Sequence, residues 1–148
     1  MNRAFTHGRR LAMVEAWLHD DAESAVLASV EGHPMASPAV VRVLAESPVM
    51  LLTEVTMSGT SPPHVHHHDS VGYVVSGAVR MSGAGQEHVL GPGDGFHHPA
   101  GVEHQMAALS SSTVWIEVKS PPVRTWLAPQ TADGDTRPEG AGPTVTFR

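Results

Sequence analysis

The stretch that decides the fold is Gly59-Thr60-Ser61-Pro62-Pro63-His64-Val65-His66, which places two histidines two positions apart behind a pair of prolines. Side chains at positions i and i+2 of a β-strand point to the same face, so His64 and His66 can reach one ion inside a barrel. The prolines cannot donate hydrogen bonds to a neighbouring strand, and we expect them to mark the entry of the strand. The spacing therefore predicts part of a metal site.

A second stretch, Pro99-Ala100-Gly101-Val102-Glu103-His104, has the composition of a tight turn that leads into a strand. It brings a third imidazole, that of His104, to the start of that strand. Two histidines on one strand and one on another give three nitrogen ligands and leave coordination positions open for water or substrate. We expect one divalent ion, with Zn as the first expectation and Ni, Fe or Cu as alternatives.

The histidines are concentrated in one part of the chain. Of the 11 histidines among 148 residues, those from His64 to His104 form a cluster, whereas His7, His19 and His33 are scattered and are expected to be ordinary surface residues. Histidine is the commonest metal ligand and the usual acid or base near neutral pH. The cluster is therefore the strongest functional signal in the sequence.

Short, Val-rich segments bounded by Gly, Pro or Ser recur along the chain at intervals of roughly ten residues, which predicts an all-β sandwich or barrel. The predicted strands are 25–30, 39–44, 50–57, 71–75, 78–81, 87–90, 95–98, 103–108 and 114–118.

The length of 148 residues suits a single domain with one core. We predict a short N-terminal extension over 1–24, the barrel over 25–127 and a flexible tail over 128–148, in which the alternation at 144–147 would allow an edge strand. Within the extension, the helical spacing of Leu11, Val14 and Leu18 predicts a short helix over 5–18.

Composition excludes several classes of protein. The net charge is −6, so no basic surface is available for a nucleic-acid backbone. There is no cysteine, which removes disulfides and thiolate metal sites. We expect a cytoplasmic protein that does not bind membranes, because no apolar stretch is long enough to span one.

The two histidine stretches, with the downstream runs Gly72-Tyr73-Val74-Val75-Ser76-Gly77 and Gly91-Pro92-Gly93-Asp94, resemble the two motifs of the cupin superfamily. The resemblance covers 59–108, about a third of the chain. It implies an all-β double-stranded β-helix barrel, similar to a jelly roll, with a metal bound by His64, His66 and His104. Many cupins pair, and the exposed edges of so small a barrel also lead us to expect a homodimer formed by strand exchange.

This sequence departs from the cupin pattern at one ligand position. Cupins usually carry a Glu four residues after the second histidine, where this chain has Ser70. The site either has three protein ligands or takes a fourth from elsewhere. The candidates for that ligand, or for an acid or base beside the metal, are His68, Asp69, His97 and His98.

Alternation along the strand should turn one of the last two candidates inward and the other outward. A hairpin with its turn at 99–102 would place His97 opposite His104 on the same face, and a shift of one residue would exchange His97 for His98.

An ion held only by neutral imidazoles keeps its positive charge and acts as a strong Lewis acid. We therefore expect redox-neutral lyase, isomerase or cyclase chemistry on a small, apolar or aromatic substrate with carbonyl groups. Similar single-domain cupins include aromatic polyketide cyclases of antibiotic biosynthesis and enzymes acting on unsaturated uronates. The alternatives are a metal-dependent dioxygenase and a non-enzymatic cupin that binds a small molecule.

Overall fold

The computed structural model describes the backbone at 2–5 and 14–17 and the continuous stretch 23–126. All nine strands predicted from 25 to 118 are confirmed, with ends that differ by at most two residues except in the second of them, which begins six residues before the predicted 39. They are β3 (Ser24–Val30), β4 (His33–Glu46), β5 (Leu51–Met57), β6 (Asp69–Ser76), β7 (Val79–Gly83), β8 (Gln86–Leu90), β9 (Gly95–His98), β10 (His104–Ala108) and β11 (Thr113–Ser120).

The N-terminal helix expected over 5–18 is wrong. The structure instead has β1 (Asn2–Phe5) and β2 (Val14–Trp17), which pair antiparallel with Phe5 opposite Val14. Three apolar residues at helical spacing are too few to specify a helix, and the pairing satisfies backbone groups that a short isolated helix would leave marginal. Leu11, Leu18 and the predicted tail lie outside the described residues. No helix in the described part of the chain has the length and hydropathy needed to cross a bilayer.

The nine strands form two antiparallel sheets. The larger has six strands in the order β3-β4-β5-β11-β6-β9, and the smaller has three in the order β10-β7-β8. Their inner faces enclose a hydrophobic core. Its buried members are Val30, Met35, Ala39, Val41, Val55, Met57, Val74, Val79, Met81, Met106 and Trp115. The fold is the expected all-β barrel of the jelly-roll type.

Strand β11 faces the interior with the side that its sequence would assign to solvent. Simple alternation would bury its branched apolar residues at 114, 116 and 118. The buried residues are instead Thr113, Trp115, Glu117 and Lys119. The barrel therefore has a polar region in its interior, beside the apolar core.

Candidate metal centre

The segment that carries His64 and His66 is extended but is not a regular strand, contrary to the sequence prediction. Its contact with β10 is an isolated bridge, in which the backbone N–H groups of His64 and His104 each donate to the other's carbonyl at 3.0 Å. Pro62 and Pro63 lack N–H groups, so a continuous ladder cannot form here. The bridge nevertheless aligns the two motifs directly.

Each of the three predicted ligands is oriented through its Nδ1 atom. The acceptors are the Pro62 carbonyl for His64 at 2.6 Å, the Glu31 Oε1 atom for His66 at 2.8 Å and the Val102 carbonyl for His104 at 3.1 Å. Carbonyl and carboxylate oxygens only accept, so each Nδ1 carries the proton. In the neutral rings, each Nε2 atom therefore presents a lone pair, as metal-binding histidines do when a neighbouring acceptor fixes their tautomer.

The Nε2 atoms of His64 and His66 lie 3.1 Å apart, although neither carries a proton in the neutral tautomers just described. Two lone pairs at this distance repel unless a cation lies between them. Nitrogens that share one ion at about 2.0–2.1 Å come to a similar separation. A ligand atom from His104 lies within 4.8 Å of one from each of the other two, and all three side chains are buried. The residues present thus fit a divalent ion.

Burial favours the neutral form of His64 and His104, which is the form that binds metal. It lowers the pKa of His64 to about 4, with the charges of His66 and His104 adding to the effect against a hydrogen bond to Pro62 that raises it. Burial likewise lowers the pKa of His104. The cluster is therefore ready to bind a cation at neutral pH without first losing protons from these two rings.

Glu31 was not identified from the sequence. It occupies the two-residue turn between β3 and β4 with Gly32, and both have positive φ angles, 47° and 81°, as a type I′ hairpin requires. The turn carries the carboxylate to His66. Glu31, His66 and His68 form a second group whose ligand atoms lie within 4.8 Å of one another, so His66 belongs to two overlapping sets.

Of the two adjacent histidines on β9, His98 is the buried one. Strand β9 pairs with β6 rather than β10, which places His98 opposite Ser70 and His97 opposite Val71. The hairpin expected to bring His97 opposite His104 is therefore wrong, because β10 pairs with β7 and the 99–102 turn joins two different sheets.

His98 lies beside the position where cupins usually have a carboxylate. Its ring stacks on that of His104 with centroids 3.9 Å apart. Ser70 Oγ and His98 Nε2 are buried, and neither has a hydrogen-bond partner in the described structure. Burial lowers the pKa of His98 to about 3. His98 is thus a neutral imidazole, with one nitrogen that has no hydrogen-bond partner in the described structure, next to the three-histidine cluster.

The other candidates for a fourth ligand or a base are divided between interior and surface. His68 is buried, and its ring centroid lies 4.4 Å from that of His66. Asp69 and His97 have side chains that are more than half exposed, with 3.7 Å between Asp69 Oδ1 and His97 Nε2. Asp69 also accepts a hydrogen bond from the backbone of Ala100. This pair lies outside the buried cluster.

Two further charged groups in the interior, Glu117 and Lys119, were also missed from the sequence, because the apolar alternation of β11 favours the opposite face. Glu117 accepts a hydrogen bond from Trp115 Nε1 at 3.2 Å. Burial raises the pKa of Glu117, but Lys119 and His98 outweigh that effect and lower it to about 2. The carboxylate is therefore ionised inside the barrel.

Two cavities meet at the stacked pair His98 and His104. The interior cavity of about 40 Å³ is also lined by His64, His66, Glu117 and Lys119, and it has room for a few waters or a small polar group. A larger cleft of about 470 Å³ lies between β8, β9 and the 99–104 region, with His88, His97 and Leu90 in its wall. The stacked pair lines both spaces. The cluster therefore borders a cleft large enough for a small organic molecule.

The fold and the site define a small β-barrel protein with a candidate metal site, a buried three-histidine cluster beside an internal cavity. The family model described as "Cupin domain" matches residues 51–119. The solved structure of KdgF from Halomonas sp. is 32% identical, with a TM-score of 0.55, and the match covers 57% of this chain and 82% of that one. The chain belongs to the cupin superfamily.

More distant solved structures share the fold. An RmlC-like cupin from Shewanella frigidimarina is 21% identical with a TM-score of 0.61, over 76% of this chain and 95% of that one. A putative ethanolamine utilization protein Q from Salmonella typhimurium is 16% identical with a TM-score of 0.59, over 82% and 94%. No curated protein matches the chain.

Proposed function

We propose that this chain is a metal-dependent enzyme that carries out redox-neutral lyase, isomerase or cyclase chemistry on a carbonyl substrate. The observation that carries the proposal is the set of three buried imidazoles, each fixed through Nδ1 so that its Nε2 lone pair is available. One divalent ion on His64, His66 and His104, with Zn as the first choice, would polarise a carbonyl and acidify the adjacent C–H bond.

His98 is the residue we propose for proton transfer. Its Nε2 atom is buried without a hydrogen-bond partner in the described structure, and its ring borders both the interior cavity and the cleft. With a pKa of about 3, it is neutral at pH 7 and can accept a proton, but it is a weak base. Such a base removes only an already acidified proton, which agrees with chemistry next to a polarised carbonyl.

The cleft suits a small organic substrate, because its wall has both apolar and polar side chains. Met81 and Leu90 are apolar, and His88 and His97 are polar. The buried three-histidine cluster beside a cleft of this size favours an enzyme over a storage or sensing protein. An aromatic polyketide or an unsaturated uronate is a candidate substrate by family resemblance.

The test combines metal analysis with proton exchange. Purified protein should contain one ion per chain, and the Zn²⁺-loaded protein should accelerate exchange of the methyl protons of pyruvate in D₂O, followed by NMR. Chelator treatment and the variant His98→Phe should each remove the acceleration, with circular dichroism as the check on folding. Absence of bound metal, or exchange no faster than with free Zn²⁺, overturns the proposal. Oxygen uptake matched to substrate loss would indicate the dioxygenase alternative instead.

A further inference from the structure

The polar interior face of β11 contains a buried cation that the three-histidine cluster does not require. Lys119 is only 3% exposed, and it lines the interior cavity together with three predicted metal ligands. Lysine is almost never buried to this extent unless its charge is balanced. The groups that balance the charge of Lys119 therefore indicate what the cavity can bind.

The protein satisfies the Lys119 ammonium group only in part. Its Nζ atom lies 3.5 Å from Thr53 Oγ1 and 3.9 Å from Glu117 Oε1. Ordinary N–H···O bonds measure about 2.7–3.2 Å, and an ammonium group has three donors to use. Both of these contacts are longer than that range. Lys119 thus retains capacity to donate to another acceptor.

The charge balance of the loaded site also favours an anion. The three histidines bring no negative charge to a divalent ion, and the usual cupin carboxylate is replaced by Ser70. Glu117 offsets Lys119, which leaves Glu31, a quarter exposed beside His66, to oppose the ion. The interior therefore keeps a net positive charge until a ligand supplies a negative one.

We propose that Lys119 Nζ forms a carboxylate-binding subsite in the interior cavity, so that the substrate is a carbonyl compound that also carries a carboxylate. This inference rests on the proposed function, since it assigns the carbonyl to the metal and the carboxylate to Lys119. The size of the interior cavity, about 40 Å³, is sufficient for a carboxylate group. The rest of the substrate would lie in the larger cleft, which shares His98 and His104 with the cavity.

The test is calorimetric titration of the Zn²⁺-loaded protein with pyruvate and 4-oxopentanoate, each compared with its uncharged methyl ester. At least one acid should bind more tightly than its ester. In Lys119→Met, which keeps the chain length but removes the charge, binding of that acid should fall about ten- to a hundredfold while ester binding is unchanged. In Glu117→Gln, acid binding should strengthen, because a nearby negative charge is removed.

Lys119→Met leaves Glu117 buried without its cation and can fail to fold, so the double variant Glu117→Gln/Lys119→Met supplies the matched control. It has no unpaired buried charge, and while retaining one Zn²⁺ it should show only the smaller acid preference that the ion alone provides. A preference as large as that of the wild type overturns the subsite, because the carboxylate is then bound without any contribution from Lys119. The same holds if wild type shows no acid preference. If the wild-type protein does not accelerate proton exchange of pyruvate, but still prefers the acid in a way that depends on Lys119, only the proposed function is refuted.

Discussion

Glu31 and His66 are joined by a contact of 2.8 Å between Oε1 and Nδ1, although 35 positions separate them in the chain. The carboxylate lies at the tip of the β3–β4 hairpin, and the imidazole belongs to the three-histidine cluster. A carboxylate that accepts from the far nitrogen of a histidine fixes its orientation and makes its other nitrogen a stronger ligand.

We predict that Glu31→Gln weakens Zn²⁺ binding about ten- to a hundredfold, because the neutral amide polarises the imidazole less. Competition with a coloured chelator measures the affinity. Glu87→Gln is the matched control: its carboxylate lies 3.4 Å from Arg80 on the exposed surface and should leave metal binding unchanged. Equal affinities for the two variants would show that Glu31 has no part in the site.

Acid should destabilise the metal-free protein through its buried histidines. Burial lowers the pKa of His64 to about 4 and of His68 and His98 to about 3, whereas unfolded histidine titrates near 6.5. Between these pKa values the unfolded state binds more protons than the folded state. The stability of the metal-free protein should therefore be highest above about pH 6.5 and should fall as the pH decreases towards 4.

Urea denaturation of the metal-free protein at pH 7.5, 6.0 and 5.0 measures this effect, for which each unit of pKa difference corresponds to about 1.4 kcal/mol. His98→Phe keeps an aromatic ring against His104 and removes one titrating group, so its stability should depend less steeply on pH. A wild-type stability that stays constant from pH 7.5 to 5.0 would contradict the burial of neutral histidines.

The clustering of the three candidate ligands could be predicted because its signal is local: the spacing of His64 and His66 and the turn before His104 are both readable in short windows. Glu31 could not, since its contact with His66 exists only when the hairpin packs onto the cluster. The choice between His97 and His98 depended on which strand pairs with β9. Lys119 was hidden because the apolar residues of β11 predict the opposite inward face.

Arg124 connects the segment after β11 to Glu23, just before β3, and to Glu46, at the end of β4. Its guanidinium donates to Glu23 at 2.9 Å and to Glu46 at 2.7 Å, each through two nitrogens. Arg124→Lys loses this planar geometry and should lower the free energy of unfolding by about 0.5–1 kcal/mol, a modest amount because the groups are partly exposed. Urea denaturation of the wild type and Arg124→Lys at low salt measures this loss of stability. The difference between the two proteins should shrink in 1 M NaCl. Arg80→Lys, in a more exposed pair, should have no effect; a loss equal to that of Arg124→Lys would refute the special role.

The expected homodimer has a specific surface in this structure. Strand β3 is an edge of the large sheet, and Val26 on it is 62% exposed beside its exposed partner Val40. Exposed apolar edges favour pairing with another chain. Sedimentation should give a mass of two chains, and Val26→Glu should shift it to one. Val89→Glu changes an exposed residue on a different edge strand, β8, opposite Arg80 on β7, and should leave the dimer intact. Wild-type protein that sediments as a monomer would contradict the prediction.

Ser70 is the position at which this chain lacks the usual carboxylate, and restoring one gives a sensitive test of the site. The residue is buried opposite His98 on one side and Lys119 on the other. In Ser70→Glu, the new carboxylate should bind the metal and tighten Zn²⁺ binding on the order of tenfold, or about 1.4 kcal/mol. Ser70→Ala supplies no ligand and should leave the affinity at the wild-type value. If Ser70→Glu also binds Zn²⁺ with wild-type affinity, position 70 does not face the ion, and the three histidines bind it from another side.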